Sequence, residues 1–317
     1  MTKTFKTLST ILFITSLLTF TGCSDDDDNT DNTSTEDKTV KEMQTKSMTI
    51  NFKPMWEDEK LMCSEDNKTK VYHKYTPTHA MVTLRDFRLF ISNIYLIDDQ
   101  GNKEMLKLQG NDFQYQDENG SVVLLDFENN TGNCIDRKNT PAMNMVALGD
   151  IADKTYSKIE FTLGVPFHTN HTEYPNVKAL NQPGMAWNWQ AGRKFTKFES
   201  SNDINSTYIF NLHLGSTGCA DNDADGKTNN CIQPNRVTVT MDFNPSQDEV
   251  IVNYATLLGD VDVTFNKGSA PGCMSKLDDP ECATIIPNFG LNFDIKDGEC
   301  ENEGCEGQKL FSINTKE

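Results

Sequence analysis

The chain has 317 residues and a formal net charge of −18 at pH 7. Such an acidic chain is not expected to bind nucleic acid, because phosphate binding needs a basic patch. An acidic field attracts cations and also keeps a protein soluble, so the charge is compatible with either role.

The N-terminus has the layout of a secretion signal. Two lysines precede an apolar run at about residues 11–20, which is too short to span a bilayer as a mature helix. Small residues then precede Cys23, as in a bacterial lipobox, although Phe20 stands where Leu is usual. We predict a lipoprotein signal peptide at 1–23 with Cys23 lipidated, and the alternative is an ordinary signal peptide with an incidental Cys. Ser24 after a lipidated Cys indicates sorting to the outer membrane, facing the periplasm or the cell surface.

Residues 24–47 are polar, acidic and nearly free of apolar side chains. Such a segment cannot bury enough surface to fold, so we predict a disordered tether. The folded part is then expected at 48–313. It has no internal repeat and no linker-like break, which favours one continuous domain.

Short alternating runs in the folded part predict an all-β domain. They are separated by Gly, Pro, Asn and Asp, as in an antiparallel β-sandwich or barrel-like domain with long loops. The clearest runs are 158–163 (KIEFTL), 236–243 (RVTVTMDF) and 261–265 (VDVTF). Helix signals are few, and the best is a short one at 253–258.

The stretch 164–195 holds two of the five His and two of the three Trp of the chain. Met185, Trp187 and Trp189 alternate, so they would share one face of a strand. One interpretation is core packing of large apolar residues. The other is a copper site, because imidazole and thioether bind Cu(I) and an aromatic wall excludes water. His168 and His171 lie three residues apart, and in a turn they can converge on one ion.

The last of the five histidines lies in the segment 208–214 (YIFNLHL), which reads as a strand. Phe210, Leu212 and Leu214 would lie on one face, and His213 on the other. A histidine on a rigid strand suits a metal ligand. The alternative is a surface or hydrogen-bonded His.

The segment 221–227 (DNDADGK) resembles the opening of a calcium loop. Asp221, Asp223 and Asp225 would supply oxygen ligands at alternate positions before the turn at Gly226. The twelfth position is Ile232 instead of the usual Glu, and no helices flank the segment. Calcium binding and a disulfide-closed acidic turn are both compatible with this pattern.

The cysteines other than Cys23 are even in number, which in an exported chain predicts disulfides. Sequence alone does not give the connectivity. Proximity favours Cys219–Cys231, Cys273–Cys282 and Cys300–Cys305, which leaves Cys63 with Cys134. Thiolate metal ligation is the alternative, but the spacings fit no zinc pattern and an oxidising compartment disfavours free thiolates.

Several segments together resemble the MbnP family of exported copper-binding proteins, which are associated with methanobactin operons and also known as the four-Cys half of a metal-related protein pair. The segments occur in family order and cover nearly the whole folded region. They are LRDFRLFISNIYLI at 84–97, VVLLDFENNTGNC at 122–134, IEFTLGVPFHTNH at 159–171, LNQPGMAWNWQAGRKF at 180–195, FNLHLGSTGC at 210–219, CIQPNR at 231–236 and PGCMS at 271–275.

The resemblance implies a periplasmic or surface-exposed protein that binds one copper ion. Its implied partner is a di-haem protein similar to cytochrome c peroxidases, of the MbnH type, which can oxidise a Trp of the copper protein to kynurenine. The residues that match the family motifs are His171, His213, Met185, Trp187 and Trp189, and His168 lies at a position taken to vary. The acidic tether, the lipobox, and the pair Cys300 and Cys305 depart from the family pattern.

Three classes of function follow. The first is a lipid-anchored copper-binding protein of copper acquisition or homeostasis. The second is a calcium-stabilised β-sandwich that binds a protein or glycan at the cell surface. The third, an enzyme, is disfavoured because the sequence has no nucleophile elbow and no C-x-x-C-H haem attachment motif.

Overall fold

The computed structural model describes residues 44–63, 70–72, 78–135, 142–188, 191–223, 226–276, 278–292 and 307–316, with backbone alone at 70–72. The predicted signal peptide with Cys23 and most of the predicted tether lie outside the described residues. So do Trp189, Asp225, Cys300 and Cys305.

The described residues form twenty strands and three short α-helices. The strands are β1 (Thr45–Trp56), β2 (Glu59–Lys60), β3 (Lys70–Tyr72), β4 (Met81–Ile97), β5 (Lys103–Met105), β6 (Lys107–Leu108), β7 (Gln114–Asp117), β8 (Gly120–Asp126), β9 (Val146–Ala152), β10 (Lys158–Leu163), β11 (Ala186–Asn188), β12 (Gly192–Arg193), β13 (Thr196–Asn202), β14 (Ile209–Leu214), β15 (Thr217–Ala220), β16 (Asn230–Gln233), β17 (Val237–Asp242), β18 (Asp248–Asn253), β19 (Gly272–Cys273) and β20 (Phe311–Thr315). The helices are α1 (Phe167–Asn170), α2 (Tyr254–Leu258) and α3 (Cys282–Asn288), and short 3-10 helices cover Gly132–Cys134 and Lys178–Asn181.

Two sheets contain most of these strands, and the all-β sandwich prediction is confirmed. One has the order β20-β18-β1-β9-β6 with β2 beside β1, and the other has the order β17-β10-β4-β13-β14-β19. The strands β3, β5 and β8 also pair with β4. Most pairs are antiparallel, but β1 with β18 and β14 with β19 are parallel. The sheets do not close into a barrel.

Aromatic side chains join the two sheets. Trp56 of β1 stacks on Phe198 of β13 with ring centroids 6.2 Å apart, and Phe52 of β1 meets the edge of Phe161 of β10 at 6.0 Å. Tyr254 of α2 stacks on Phe198 at 4.2 Å. Each fully buried aromatic side chain contributes roughly 1.5–3 kcal/mol to folding. The smaller sheet and α2 therefore cover the face of the larger sheet from which β13 and β10 project their apolar residues.

The predicted strands at 158–163 and 236–243 are present as β10 and β17, and they pair with each other. The predicted strand at 261–265 is wrong, because this segment forms a turn. The carboxylate of Asp262 accepts hydrogen bonds from the N–H and the hydroxyl of Thr264, at 2.9 and 2.7 Å. A side chain thus takes the backbone donor that a neighbouring strand would need.

The folded region begins slightly before the predicted boundary. Residues 45–47, assigned to the tether in the sequence, belong to β1 and pair with Ala152, Ile151 and Asp150 of β9. Likewise, β20 continues past residue 313 to Thr315. Strand pairing with distant segments orders these polar residues.

Three disulfides connect the described cysteines: Cys63–Cys134, Cys219–Cys231 and Cys273–Cys282. These pairings agree with those that proximity favoured. No helix in the described part of the chain has the length and apolar character needed to cross a membrane.

Candidate metal centre

The candidate site surrounds the hairpin that follows β14. In this hairpin β15 and β16 are antiparallel, and Cys219 lies opposite Cys231, to which it is bonded. Because β14 ends at Leu214 and β15 begins at Thr217, the hairpin directly continues the strand that carries His213. The disulfide thus closes a rigid unit beside the histidine.

His213 is buried, with 5% of its surface exposed. Its Nε2 lies 2.9 Å from Oε1 of Glu199 on the neighbouring strand β13. Burial lowers the pKa of His213, Glu199 partly offsets this, and the charges of Lys194 and Lys197 lower it further. A neutral imidazole that donates from Nε2 has a lone pair on Nδ1. This Nδ1 is buried and has no hydrogen-bond partner among the described residues, so it is suited to bind a metal.

Buried charges hold Glu199 in its ionised form. Lys197 Nζ lies 3.1 Å from Oε1 of Glu199 and also contacts Asp86, which accepts two hydrogen bonds from Arg88. Burial raises the pKa of Glu199, but the hydrogen bond from His213 and the charge of Lys197 outweigh it and bring the pKa to about 2. Glu199 is therefore an acceptor at neutral pH, which fixes Nε2 of His213 as the donor.

Arg88 also connects this network to the loop that carries Met185. Its Nη1 donates to the carbonyl of Pro183 over 2.9 Å. Met185 itself is buried in the hydrophobic core, and its carbonyl accepts a hydrogen bond from the N–H of Lys194 over 2.8 Å. Met185 precedes the short strand β11, so the predicted strand face shared with Trp187 is only partly formed.

The indole of Trp187 lies against the backbone of Gly215. A β-carbon on Gly215 would lie 2.4 Å from the ring, so only glycine leaves room for this contact. Lys194 Nζ lies 5.8 Å from the ring centroid. The half-buried indole lines a cleft of about 500 Å³ together with Cys219 and Met274. Since Gly215 follows β14 directly, Trp187 lies at the end of the strand that carries His213.

His171 lies on the other side of the disulfide. It follows the one-turn helix α1 and is half-buried. Its Nε2 is 3.4 Å from Sγ of Cys231 and 3.1 Å from the side-chain nitrogen of Asn170. His168 is exposed, and both histidines line a cleft of about 490 Å³ that is closed on another side by residues 226–228. The cleft beside His168 and His171 therefore faces the acidic turn.

Among the described residues, one set of three His, Cys, Asp or Glu side chains has its ligand atoms within 4.8 Å of one another: His171, Cys219 and Cys231. The two sulfurs are bonded to each other, so they are not the thiolates that copper or zinc binds. His171 is therefore the strong ligand of this set. His213 lies outside it, with its ring turned toward Glu199.

The described residues of the acidic segment 221–227 are held by two hydrogen bonds. Oδ2 of Asp221 accepts the N–H of Gly226, and Oδ2 of Asp223 accepts the side-chain amide of Asn229, both over 2.7 Å. These contacts form a hydrogen-bonded acidic turn. Calcium binding at this turn stays a prediction.

The structure thus places His171, Trp187 and His213 around the Cys219–Cys231 hairpin, with His168 at the mouth of one cleft and Met185 in the core. Sequence reasoning missed Glu199 and Lys197. Their only signal is alternation with Phe198 on β13, and alternation does not tell whether the polar face of a strand is covered.

Comparisons with known proteins agree with this geometry. The MbnP family model matches residues 45–275, a range that contains all the histidines and cysteines of the candidate site. Among solved structures, the chain is similar to MbnP from Methylosinus trichosporium, with a TM-score of 0.71 and 28% sequence identity over 86% of this chain and 99% of that chain. No curated protein matches the chain.

Proposed function

Because this chain belongs to the MbnP family, which is methanobactin-related and copper-associated, we propose that it binds copper in copper acquisition or homeostasis. The observation that carries this proposal is the environment of the His213 side chain. Its imidazole is buried on a rigid strand, Nε2 is held by Glu199, and Nδ1 has no partner in the described part of the chain. Metal-binding histidines have this arrangement, with a carboxylate on the nitrogen that does not bind the metal.

The proposed ligands are one nitrogen from each of two histidines. His213 supplies Nδ1, and His171 supplies a nitrogen whose present neighbours are Asn170 and Cys231. Imidazole nitrogen suits Cu(I) and Cu(II), and the thioether of Met185 is a ligand for Cu(I). Met185 and His168 are the proposed additional ligands, and Trp187 shields the site from water.

Oxidation of Trp187 or Trp189 to kynurenine is part of this proposal. The indole C2–C3 double bond is cleaved, and each new carbonyl receives one oxygen atom from hydrogen peroxide, with two peroxides reduced to water. Hydrolysis then releases formate and leaves kynurenine. A di-haem MbnH-type partner similar to cytochrome c peroxidases would bring peroxide chemistry to the indole. The accessible cleft at Trp187 supports this step, and the aniline nitrogen and ketone of kynurenine are additional ligand groups.

Metal analysis of the full-length protein purified from its native host tests the proposal. We expect one copper ion per chain, strongly reduced in the variants His213→Ala and His171→Ala. The matched control is His79→Ala, since His79 is exposed and lies on a separate segment. Peptide mass spectrometry detects kynurenine at Trp187 or Trp189. Wild-type protein that takes up no Cu(I) would contradict copper binding, whereas intact tryptophans in a copper-loaded protein would contradict only the oxidation step.

The proposal also includes export and anchoring. The sequence around Cys23 supports a lipoprotein held at the outer membrane, with a binding role and no enzymatic activity of its own. A Cys23→Ala variant is expected to appear in the soluble periplasmic fraction. The same distribution for wild type and variant would contradict the lipid anchor.

A further inference from the structure

A second group of acidic side chains is buried where the segment after α2 folds over the segment before α3. Asp262, Asp279 and Glu281 have 8%, 0% and 0% of their surface exposed. The N–H of Lys267 donates to Oε1 of Glu281 over 2.6 Å, which ties the two segments together. Burial and the charges of Glu281, Asp279 and Asp262 raise the pKa of Tyr208 to about 12, so all three carboxylates lie within electrostatic reach of its hydroxyl.

Several oxygens in this region have no hydrogen bond of normal geometry to the described residues. They are both carboxylate oxygens of Asp279, Oε2 of Glu281 and the hydroxyl of Tyr208, and each is inaccessible to solvent. The neighbouring Lys276 does not help, because it pairs with Asp278 at 3.1 Å. Burying carboxylates without a compensating charge is strongly unfavourable, so a proton or a cation must neutralise this group.

The side chains of Asp279 and Glu281 lie within hydrogen-bonding range of each other. Burial and the adjacent Glu281 raise the pKa of Asp279 to about 7, although the N–H groups of Glu281 and Met274 lower it in part. Asp262 is not proposed as a ligand, because its Oδ1 already accepts a hydrogen bond from Thr264. At neutral pH the Asp279–Glu281 pair is therefore poised to exchange its proton for a metal ion.

We propose that Asp279 and Glu281 form a calcium site that fastens the segment after α2 to the segment before α3. The donor set is oxygen only, which selects a hard cation and separates this site chemically from the histidines around Cys219–Cys231. Ca²⁺ accepts six to eight oxygens in a flexible geometry and takes backbone carbonyls and water as well, whereas Mg²⁺ demands a tighter octahedron. Residues 265–267 lie next to this site, since the N–H of Lys267 donates to Glu281, and they are exposed. The cation enters from that side.

Thermal unfolding of the full-length protein, stripped of metals with a chelator, tests this site. We expect added Ca²⁺ to raise Tm by several degrees and Mg²⁺ to raise it less, because an ion that binds only the folded state stabilises it. In the double variant Asp279→Asn/Glu281→Gln this shift is lost. The variant is expected to fold, with a metal-free Tm no lower than that of wild type, because the amides remove an uncompensated buried charge.

The acidic turn provides the matched control. In Asp221→Asn/Asp223→Asn a calcium-induced rise in Tm is expected to remain, because the Asp279–Glu281 site is intact, and any part that is lost belongs to the predicted site at the turn. A wild-type Tm that responds to pH but not to Ca²⁺ would overturn the proposal, since the pair then simply shares a proton. A shift kept by the Asp279/Glu281 variant and lost in the Asp221/Asp223 variant would also overturn it. Copper content in all three proteins is measured separately, so these outcomes do not bear on the histidine site.

Discussion

At the scale of single residues, the environment of His213 is set by its neighbours on β13. Alternation in the sequence places His213 opposite the apolar row of β14, which is where it lies. Its burial was not predictable from the sequence. Lys197 and Glu199 lie beside it on β13, and a sequence pattern assigns both of these side chains to solvent. Lys197 is buried here because Asp86 and Glu199 both pair with its ammonium group.

Replacing Glu199 by Gln tests the positioning of His213. The Gln side chain can donate or accept, so it no longer fixes Nε2 as the protonated nitrogen. We expect a mixture of His213 tautomers in nitrogen NMR spectra of the metal-free protein. The copper affinity is expected to fall about 10- to 100-fold, the usual effect of losing a residue that orients a metal-binding histidine.

The control for this substitution is Glu160→Gln. Glu160 of β10 forms an ion pair with Lys103 of β5, whose side chain is half exposed. It should leave both the tautomer and the copper affinity unchanged. A single Nε2–H tautomer and wild-type affinity in Glu199→Gln would show that Glu199 does not position His213.

At the scale of secondary-structure elements, Arg193 of β12 fastens α1 to the β11–β12 ribbon. Its Nε donates to the carbonyl of Leu180 over 2.9 Å, and its Nη1 donates to the carbonyls of Thr169 and Asn170. Burial lowers the pKa of Arg193 to about 10. The segment that ends in His171 is thus held by one guanidinium group. A sequence pattern does not reveal this, because β12 has only two residues and is too short to show periodicity.

Arg193→Lys keeps the charge but not the planar array of donors. A lysine ammonium cannot reach the same carbonyls together, so buried acceptors lose their partners. We expect the free energy of unfolding to fall by about 1–3 kcal/mol in urea. We also expect faster amide hydrogen exchange at 169–172. The matched change Arg85→Lys, at an exposed position of β4, should have little effect on either measurement.

An unchanged exchange rate at 169–172 in Arg193→Lys would contradict this role of the guanidinium.

The secondary-structure elements also show the limits of alternation as a sequence signal. It predicted β10 and β17 correctly because one face of each strand packs against the other sheet. It failed at 261–265, where Asp262 caps a turn, because alternation does not register side-chain hydrogen bonds to the backbone.

At the scale of the whole molecule, the sandwich buries acidic groups that a sequence pattern would place on its surface. The all-β class and the three disulfides follow from alternation and from proximity of cysteines. The pairing of β4 does not, because its partners β8, β10 and β13 come from distant segments. Asp126 at the end of β8 is one consequence. It is fully buried, and its Oδ2 has no hydrogen-bond partner among the described residues.

The stability of the protein is expected to depend on pH through Asp126. Burial and the charge of Glu128 raise the pKa of Asp126 from 3.8 to about 8, with Asp86 acting in the same direction and Arg88 opposing them. Below the unfolded pKa both states bind the proton, and this contribution to stability is complete. As the pH rises toward 8, the unfolded chain releases the proton while the folded chain keeps it, so the contribution is progressively lost.

We therefore expect the free energy of unfolding in urea to decrease from pH 5 to pH 8, with a slope of at most about 1.4 kcal/mol per pH unit from this group. The variant Asp126→Asn has no proton to lose, so its slope should be smaller over this range, whereas Asp99→Asn at an exposed position should follow wild type. Comparing slopes between variants cancels the contributions of Asp279 and the histidines, which are the same in all three proteins. Equal slopes for wild type and Asp126→Asn would mean that Asp126 is ionised in the folded protein. The buried carboxylates of Asp86 and Asp126 would then be balanced by Arg88 and Lys197.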